Sequence, residues 1–326
     1  MNFVDAAHDL VKVALNTASS DMELQQACQQ LFSVFSKSSD TEENEGMSLL
    51  ANELDCGRGS YLALICGALI EHGAKAQPLS EPLLKRITPL IESSACVAQI
   101  CNEGEDFSQA FERNTSAEQK EAWELLGKFK GPVAALLSAD PQARQKAKAL
   151  QNSVDQLAPH HIVGHWMSLL LKVLDREPLL VLEPASSFGL VGTMSGIVDN
   201  HQLHVLLMDV FPGSDNTRVS EQAAATARGH GPQETGELIT GHWNMYSWQA
   251  WSGTLSDNNE HWIWGEGNPC DIPLFENHRV VLLGPPSYKR TWNSARTFKL
   301  LRADLTIEKE LSNDEVHFWL TKISNS

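Results

Sequence analysis

HWIWGEGNPCDIPLFENHRVVLLGPPSYKRTWNSAR, residues 261–296, holds one apolar run, Val280 to Leu283, among aromatic, acidic and arginine residues. The run is short, begins with two β-branched residues, and lies between Asn277-His278-Arg279 and Gly284-Pro285-Pro286. Four apolar residues are too few for a helix, and Pro285 has no N–H with which to continue a ladder. The pattern therefore predicts a buried strand that stops and turns at the prolines. Trp262, Trp264, Glu266 and Asp271 lead into that strand, while Tyr288, Arg290, Trp292 and Arg296 leave it. Polar and aromatic side chains are thus expected to gather around one strand end.

Outward from this stretch the periodicity changes once. Before residue 175 the spacing is helical throughout: Phe3, Ala7, Leu10, Val11, Ala14 and Leu15 make one apolar stripe, and Leu24, Ala27, Cys28, Leu31, Phe32 and Phe35 make another, with Asp21 as expected N-cap. YLALICGALIEHG, residues 61–73, is apolar nearly all round and predicts an enclosed helix closed by Gly73. Further helices are expected from Ser80, with a kink or break at Pro89, from a cap at Thr115 or Ser116, and from Asp140-Pro141 to about Leu157. SKSSDTEENEG, residues 36–46, reads as an exposed loop.

After Glu177-Pro178 the runs LLVLEP and Leu190 to Ile197 predict strands, and a helix follows Asp199-Asn200 until Pro212-Gly213. A polar stretch carrying a helical piece, Ser220 to Arg228, then leads to irregular chain at Gly229, Gly231 and Pro232. A strand from Leu300 to Glu308 and a helix with a Ser312–Glu315 capping box close the chain. Seven of the nine tryptophans lie from Trp243 onward, so large rings must pack on a small sheet there. The expected fold class is α+β: an irregular all-helical domain over residues 1–174, then a mixed α+β domain over residues 175–326.

Asp and Glu outnumber Lys and Arg 41 to 25, a formal charge of −16. That field opposes binding to nucleic acid or an anionic membrane and favours a basic protein partner. Six cysteines are scattered without a CxxC pair, which suggests neither zinc nor a redox motif and leaves small buried hydrophobes with free thiols. The first twenty residues lack a basic leader pattern, and no run is apolar enough to span a bilayer, so a cytoplasmic location is expected.

The chain lacks GxxxxGK[ST] and GxGxxG, and GTMSG at residues 192–196 places Ser195 one position late for a nucleophile elbow. No cofactor is implied. His161 and His165 share a helix face as two metal ligands would, but no HExxH pattern supplies a third, and metal is not expected. Cys270 needs a base such as His261 or His278 to become a nucleophile. Asp199, Asn200 and His204 either cap a helix or build a polar pocket at its start. Glu266, Asp271, Arg290 and Arg296 either pair as ions that fix turns or, with Trp264 or Trp292 as a stacking wall, form a recognition site.

The ordered blocks ICGALIEHGA, GPVAALLS, PLLVLEP, SGIVDNHQLHVLLMD, NMYSW, WIWGEGNPCDIP and RVVLLGPPSYKRTWNSARTF resemble an uncharacterised family of bacterial proteins from about Tyr61 onward. The resemblance implies one intact functional unit and brings no established activity. The family pattern has an aromatic at His201, a small residue at Cys270 and a proline at Lys289, so these three depart from it. Asp199, Asn200, His204, Glu266, Asp271, Arg290, Trp292 and Arg296 fit it. Two classes of function follow: an acidic binder of a basic protein, of immunity or inhibitor type, or an enzyme or small-molecule binder with a polar and aromatic pocket. Either way, Asp199, Asn200 and His204 are expected near Glu266, Asp271, Arg290 and Arg296.

Overall fold

The computed structural model describes residues 1–100, 106–211, 218–230, 236–256 and 258–326. Cys101, the helix stop at Pro212-Gly213, and Gly231-Pro232 fall outside the described residues. Two compact units are present, Met1–Leu171 and Lys172–Ser326. The first is helical and the second is built on a mixed sheet, so the chain is α+β as expected. Among the described residues no helix is long and apolar enough to cross a membrane.

The N-terminal unit runs α1 (Phe3–Leu15), α2 (Asp21–Phe35), α3 (Asp40–Asn52), α4 (Gly59–Glu71), α5 (Gln77–Ala98) and α6 (Phe107–Asn114). It continues with α7 (Ala117–Gly127), α8 (Lys130–Ala139), α9 (Pro141–Ala147), α10 (Gln151–Leu157) and α11 (Ile162–Leu171). Helix α4 buries Leu62, Ile65, Cys66, Leu69 and Ile70 and ends before Gly73 in the left-handed region, as its all-round apolar sequence demands.

Three local expectations fail for identifiable reasons. The polar stretch expected as a loop is largely α3, because Ser39 and Glu42 form a capping box and Gly46, Met47, Leu50 and Ala51 bury a stripe behind it. Helix α5 begins a turn before Ser80 and passes through both Pro82 and Pro89 without dividing, its apolar face buried on both sides of Pro89. Ser20, not Asp21, caps α2, since its hydroxyl accepts the Glu23 N–H.

In the C-terminal unit β1 (Glu177–Glu183) and β2 (Phe188–Ser195) form an antiparallel hairpin, followed by α12 (Asn200–Val210) and α13 (Glu221–Arg228). Next come β3 (Leu238–Thr240), β4 (Asn244–Ser247), β5 (Leu274–Phe275), β6 (His278–Gly284), β7 (Thr291–Asn293), β8 (Asp304–Glu310) and α14 (Asn313–Ser324). The main sheet has the order β4-β6-β1-β2-β8 with β5 on the edge of β6, while β3 and β7 form a separate pair. Strands β1 and β6 are parallel, Leu180 opposite Val280, and every residue from Val280 to Leu283 is buried.

Both faces of this sheet are covered, which is why its central strands read as continuous apolar runs. Leu179, Val181, Val281 and Leu283 face Leu203, Leu206 and Leu207 of α12, whereas Leu180, Leu182, Val280 and Leu282 face Val316, Leu320 and Ile323 of α14. The tryptophans divide between these layers: Trp243 and Trp292 join the α12 side, and Trp248, Trp251, Trp262 and Trp319 the α14 side.

Candidate functional site

The first turn of α12 organises the site. Asp199 is its N-cap, with Oδ1 accepting the Gln202 N–H at 2.8 Å. The next two backbone N–H groups, orphaned at any helix start, donate to a neighbouring loop: Asn200 to the Gly267 carbonyl and His201 to the Gly265 carbonyl, each at 2.9 Å. The Asn200 side chain adds a third tie, its Nδ2 donating to the Trp264 carbonyl at 2.8 Å. Gln202 completes the turn, receiving the Val198 N–H and donating to the Ala227 carbonyl. Because loop and caps take up these groups, the dipole end of α12 serves as an anchor for residues 264–267. Burial raises the Asp199 carboxyl above its ordinary range, against the lowering effect of the Gln202 N–H.

On the inner side of that turn, His204 is 3% exposed. Its ring lies 5.0 Å from Trp292 and 5.9 Å from Trp243, and its Nε2 has no hydrogen-bond partner among the described residues. Burial pushes its pKa down to about 3, helped by the positive field of Arg290, His242 and His201. His204 is thus a neutral packing residue at ordinary pH. His201 stacks on Trp292 at 4.8 Å and places Nε2 3.5 Å from Glu266 Oε1. The fit is close enough that a Cβ on Gly265 would lie 2.1 Å from the His201 ring, and one on Gly241 would lie 2.8 Å from the His204 ring.

On the outer side, a cleft of about 230 Å³ opens between the 262–267 loop and the 271–273 segment. Asn200, Ser247, Glu260, Trp262, Trp264 and Asp271 are among its lining residues. Trp264 is 46% exposed, and its ring meets that of Trp262 at 5.1 Å. Glu260 accepts from the Asn258 side-chain amide and Asp271 from the Cys270 thiol, and neither carboxylate has a cationic partner among the described residues. Asn200 Oδ1, Ser247 Oγ and Trp262 Nε1 are buried polar atoms without partners among those residues.

The predicted site residues therefore separate into groups. Asp199, Asn200 and His204 do lie beside Trp264, Glu266, Arg290 and Trp292, and Asp271 shares the cleft with Asn200 and Trp264. Arg290 forms neither of the expected ion pairs. Its Nη2 donates to the buried Asn244 Oδ1 at 2.8 Å, and its guanidinium lies 5.7 Å from the Trp262 and Tyr288 rings. Glu266 is held below the usual carboxylate range first by its own backbone N–H, then by His201, and last by the positive charge of Arg290. Arg296 belongs elsewhere: its Nη1 donates to the Lys299 carbonyl, and it sits by Gly229 at the end of α13.

Several other candidates are engaged in structure. Burial and the adjacent Asp271 push the Cys270 thiol up to about 11, and His278 meets the Glu276 carbonyl instead of the thiol. Ser195 Oγ accepts the Arg176 N–H. His161 is buried against Trp123, with Nε2 at the Trp123 carbonyl and Nδ1 accepting the Val163 N–H. No group of three metal-ligating side chains occurs among the described residues. The expectation of mostly buried thiols is also corrected, since of the described cysteines Cys66 is buried, Cys96 is exposed, and Cys28, Cys56 and Cys270 lie between.

Comparison with protein-family models, with curated proteins and with solved structures finds no match to this chain. The site's reading thus rests on its own geometry, including residues the pattern of the sequence did not single out. Ser247 is a hydroxyl at the end of a fully buried strand, and Glu260 precedes the aromatic run; both were visible as polar residues at its borders. Arg279 is one of these, a polar flank of the Val280 to Leu283 run. It pairs with Glu177 at 2.9 Å and donates to the carbonyls of Cys270 and Ile272, fixing the backbone on which Asp271 stands.

Proposed function

We propose that the C-terminal unit is a binding module that takes a basic segment of a partner protein at the Trp264 cleft. The observation that carries this reading is an exposed indole standing beside two carboxylates, Glu260 and Asp271, that no cation neutralises among the described residues. An aromatic face and an unpaired carboxylate attract the same class of group, a cation with an apolar stem. The formal charge of −16 adds a long-range field that speeds encounter with such a partner. The volume of about 230 Å³ lies below the roughly 300–1,000 Å³ of ordinary small-molecule pockets and suits a single side chain.

The test is selection from a synthetic random-sequence peptide mixture on the immobilised full chain. Lys- and Arg-rich peptides are expected to be enriched, with retention falling as salt rises. Glu260→Gln with Asp271→Asn is expected to remove the enrichment. Selection of neutral or acidic peptides, or basic enrichment unaffected by those two substitutions, would overturn the reading.

A further inference from the structure

Resting on the reading just given, we infer that the side chain taken into the Trp264 cleft is arginine. Three observations converge. The space suits one side chain, as argued above. Its acceptors are dispersed: the exposed carboxylates of Glu260 and Asp271 stand on two separate segments of the lining. A guanidinium carries five N–H donors in a flat fork, an ammonium three around a point, so the former is better suited to acceptors that stand apart.

The rings provide the third observation. Trp262 and Trp264 meet at 5.1 Å and 48°, and the chain already sets a guanidinium, that of Arg290, over the Trp262 ring. The exposed Trp264 ring is an equivalent platform for a second cation; the chain also sets the Lys130 and Lys322 ammonium groups over Trp166 and Trp319, but a planar guanidinium can lie flat on the indole face and keep its edge N–H groups for the carboxylates.

The experiment is calorimetric titration of the full chain with short glycine-flanked, end-blocked peptides that differ only at a central Arg, Lys, citrulline or Glu. The arginine peptide is expected to bind about tenfold more tightly than the lysine peptide. Citrulline, which keeps the shape and loses the charge, and Glu are expected to show no binding. Trp264→Leu should weaken the arginine peptide by roughly tenfold. Asp271→Asn, at an exposed side chain, is the second variant; it should weaken binding without altering the near-ultraviolet circular dichroism. Equal binding of the Arg and Lys peptides would overturn the arginine assignment and leave the basic-partner reading standing. No preference for either over Glu sinks both. An arginine preference that survives Trp264→Leu and Asp271→Asn places the contact outside this cleft and overturns the assignment.

Discussion

The two sides of the first turn of α12 are built from the same residue types and do opposite things. Inward, His204 lies between Trp243 and Trp292, shut off from water, with no partner for its Nε2 among the described residues. Outward, Asn200 ties down a loop whose Trp264 is half in solvent beside unneutralised carboxylates. Histidine, tryptophan and charge look equally functional in both places. Water access separates them: the inner groups are spent on packing, and the outer ones retain free capacity.

The sharpest way to break this contrast is acid. With the folded pKa of His204 lowered from 6.5 to about 3, the unfolded chain binds a proton across that interval and the folded chain does not. Its contribution is therefore fully present above pH 6.5 and is lost as pH falls toward 3, at up to about 1.4 kcal/mol per pH unit. His204→Gln cannot take up that proton. Denaturant unfolding of both proteins across the interval should show a shallower pH dependence for the variant; parallel curves mean that His204 has a solvent route.

Arg290→Ala is the next largest. It leaves Asn244 Oδ1 without its donor in a residue that is fully buried, and uncovers the rings of Trp262 and Tyr288. A loss of about 2 kcal/mol is expected in chemical unfolding. An unchanged midpoint would mean that the guanidinium is held for a ligand rather than for the fold.

Gly265→Ala probes the seam between the two sides. The added Cβ would meet the His201 ring at 2.1 Å, and that ring is backed by Trp292. About 1–2 kcal/mol should be lost by overpacking, and His201→Ala in the same chain should restore most of it. Additive losses in the double variant would show that the loop, not the ring, absorbs the strain.

The legible parts of this molecule are those where one sequence pattern has one physical solution. Val280 to Leu283, bounded by polar residues and prolines, had to be an enclosed strand, and Ser312 with Glu315 had to start a helix. The α3 helix was hidden because its buried stripe begins only at Gly46, after a polar first half that by itself resembles a loop. At the site, the approach of Asp199–His204 to Trp264, Glu266 and Trp292 followed from strand ends meeting a helix start. Which arginine does what was not legible, since Arg290 and Arg296 are each followed by Thr and an aromatic residue and Arg279 reads only as the polar flank of an apolar run. Only the fold shows that the first holds carbonyls and Glu177, the second Asn244, and the third the Lys299 carbonyl.

The smallest effect on stability belongs to a residue on which binding is expected to depend. Trp264 is 46% exposed, and the tie between its segment and α12 is made by its backbone carbonyl, which accepts from Asn200 whatever side chain the position carries. Trp264→Ala therefore removes partial ring contact with Trp262 and little else. A loss of about 0.5 kcal/mol in unfolding is expected, within the range of ordinary surface substitutions. The comparison with Arg290→Ala is what gives this number its meaning, because both residues contact the Trp262 ring. If Trp264→Ala instead costs as much as Arg290→Ala, the outer indole is as structural as the inner ones and the division by water access fails. If it is near neutral in unfolding and weakens basic-peptide binding by roughly tenfold, the site is confined to the outer side of the α12 turn.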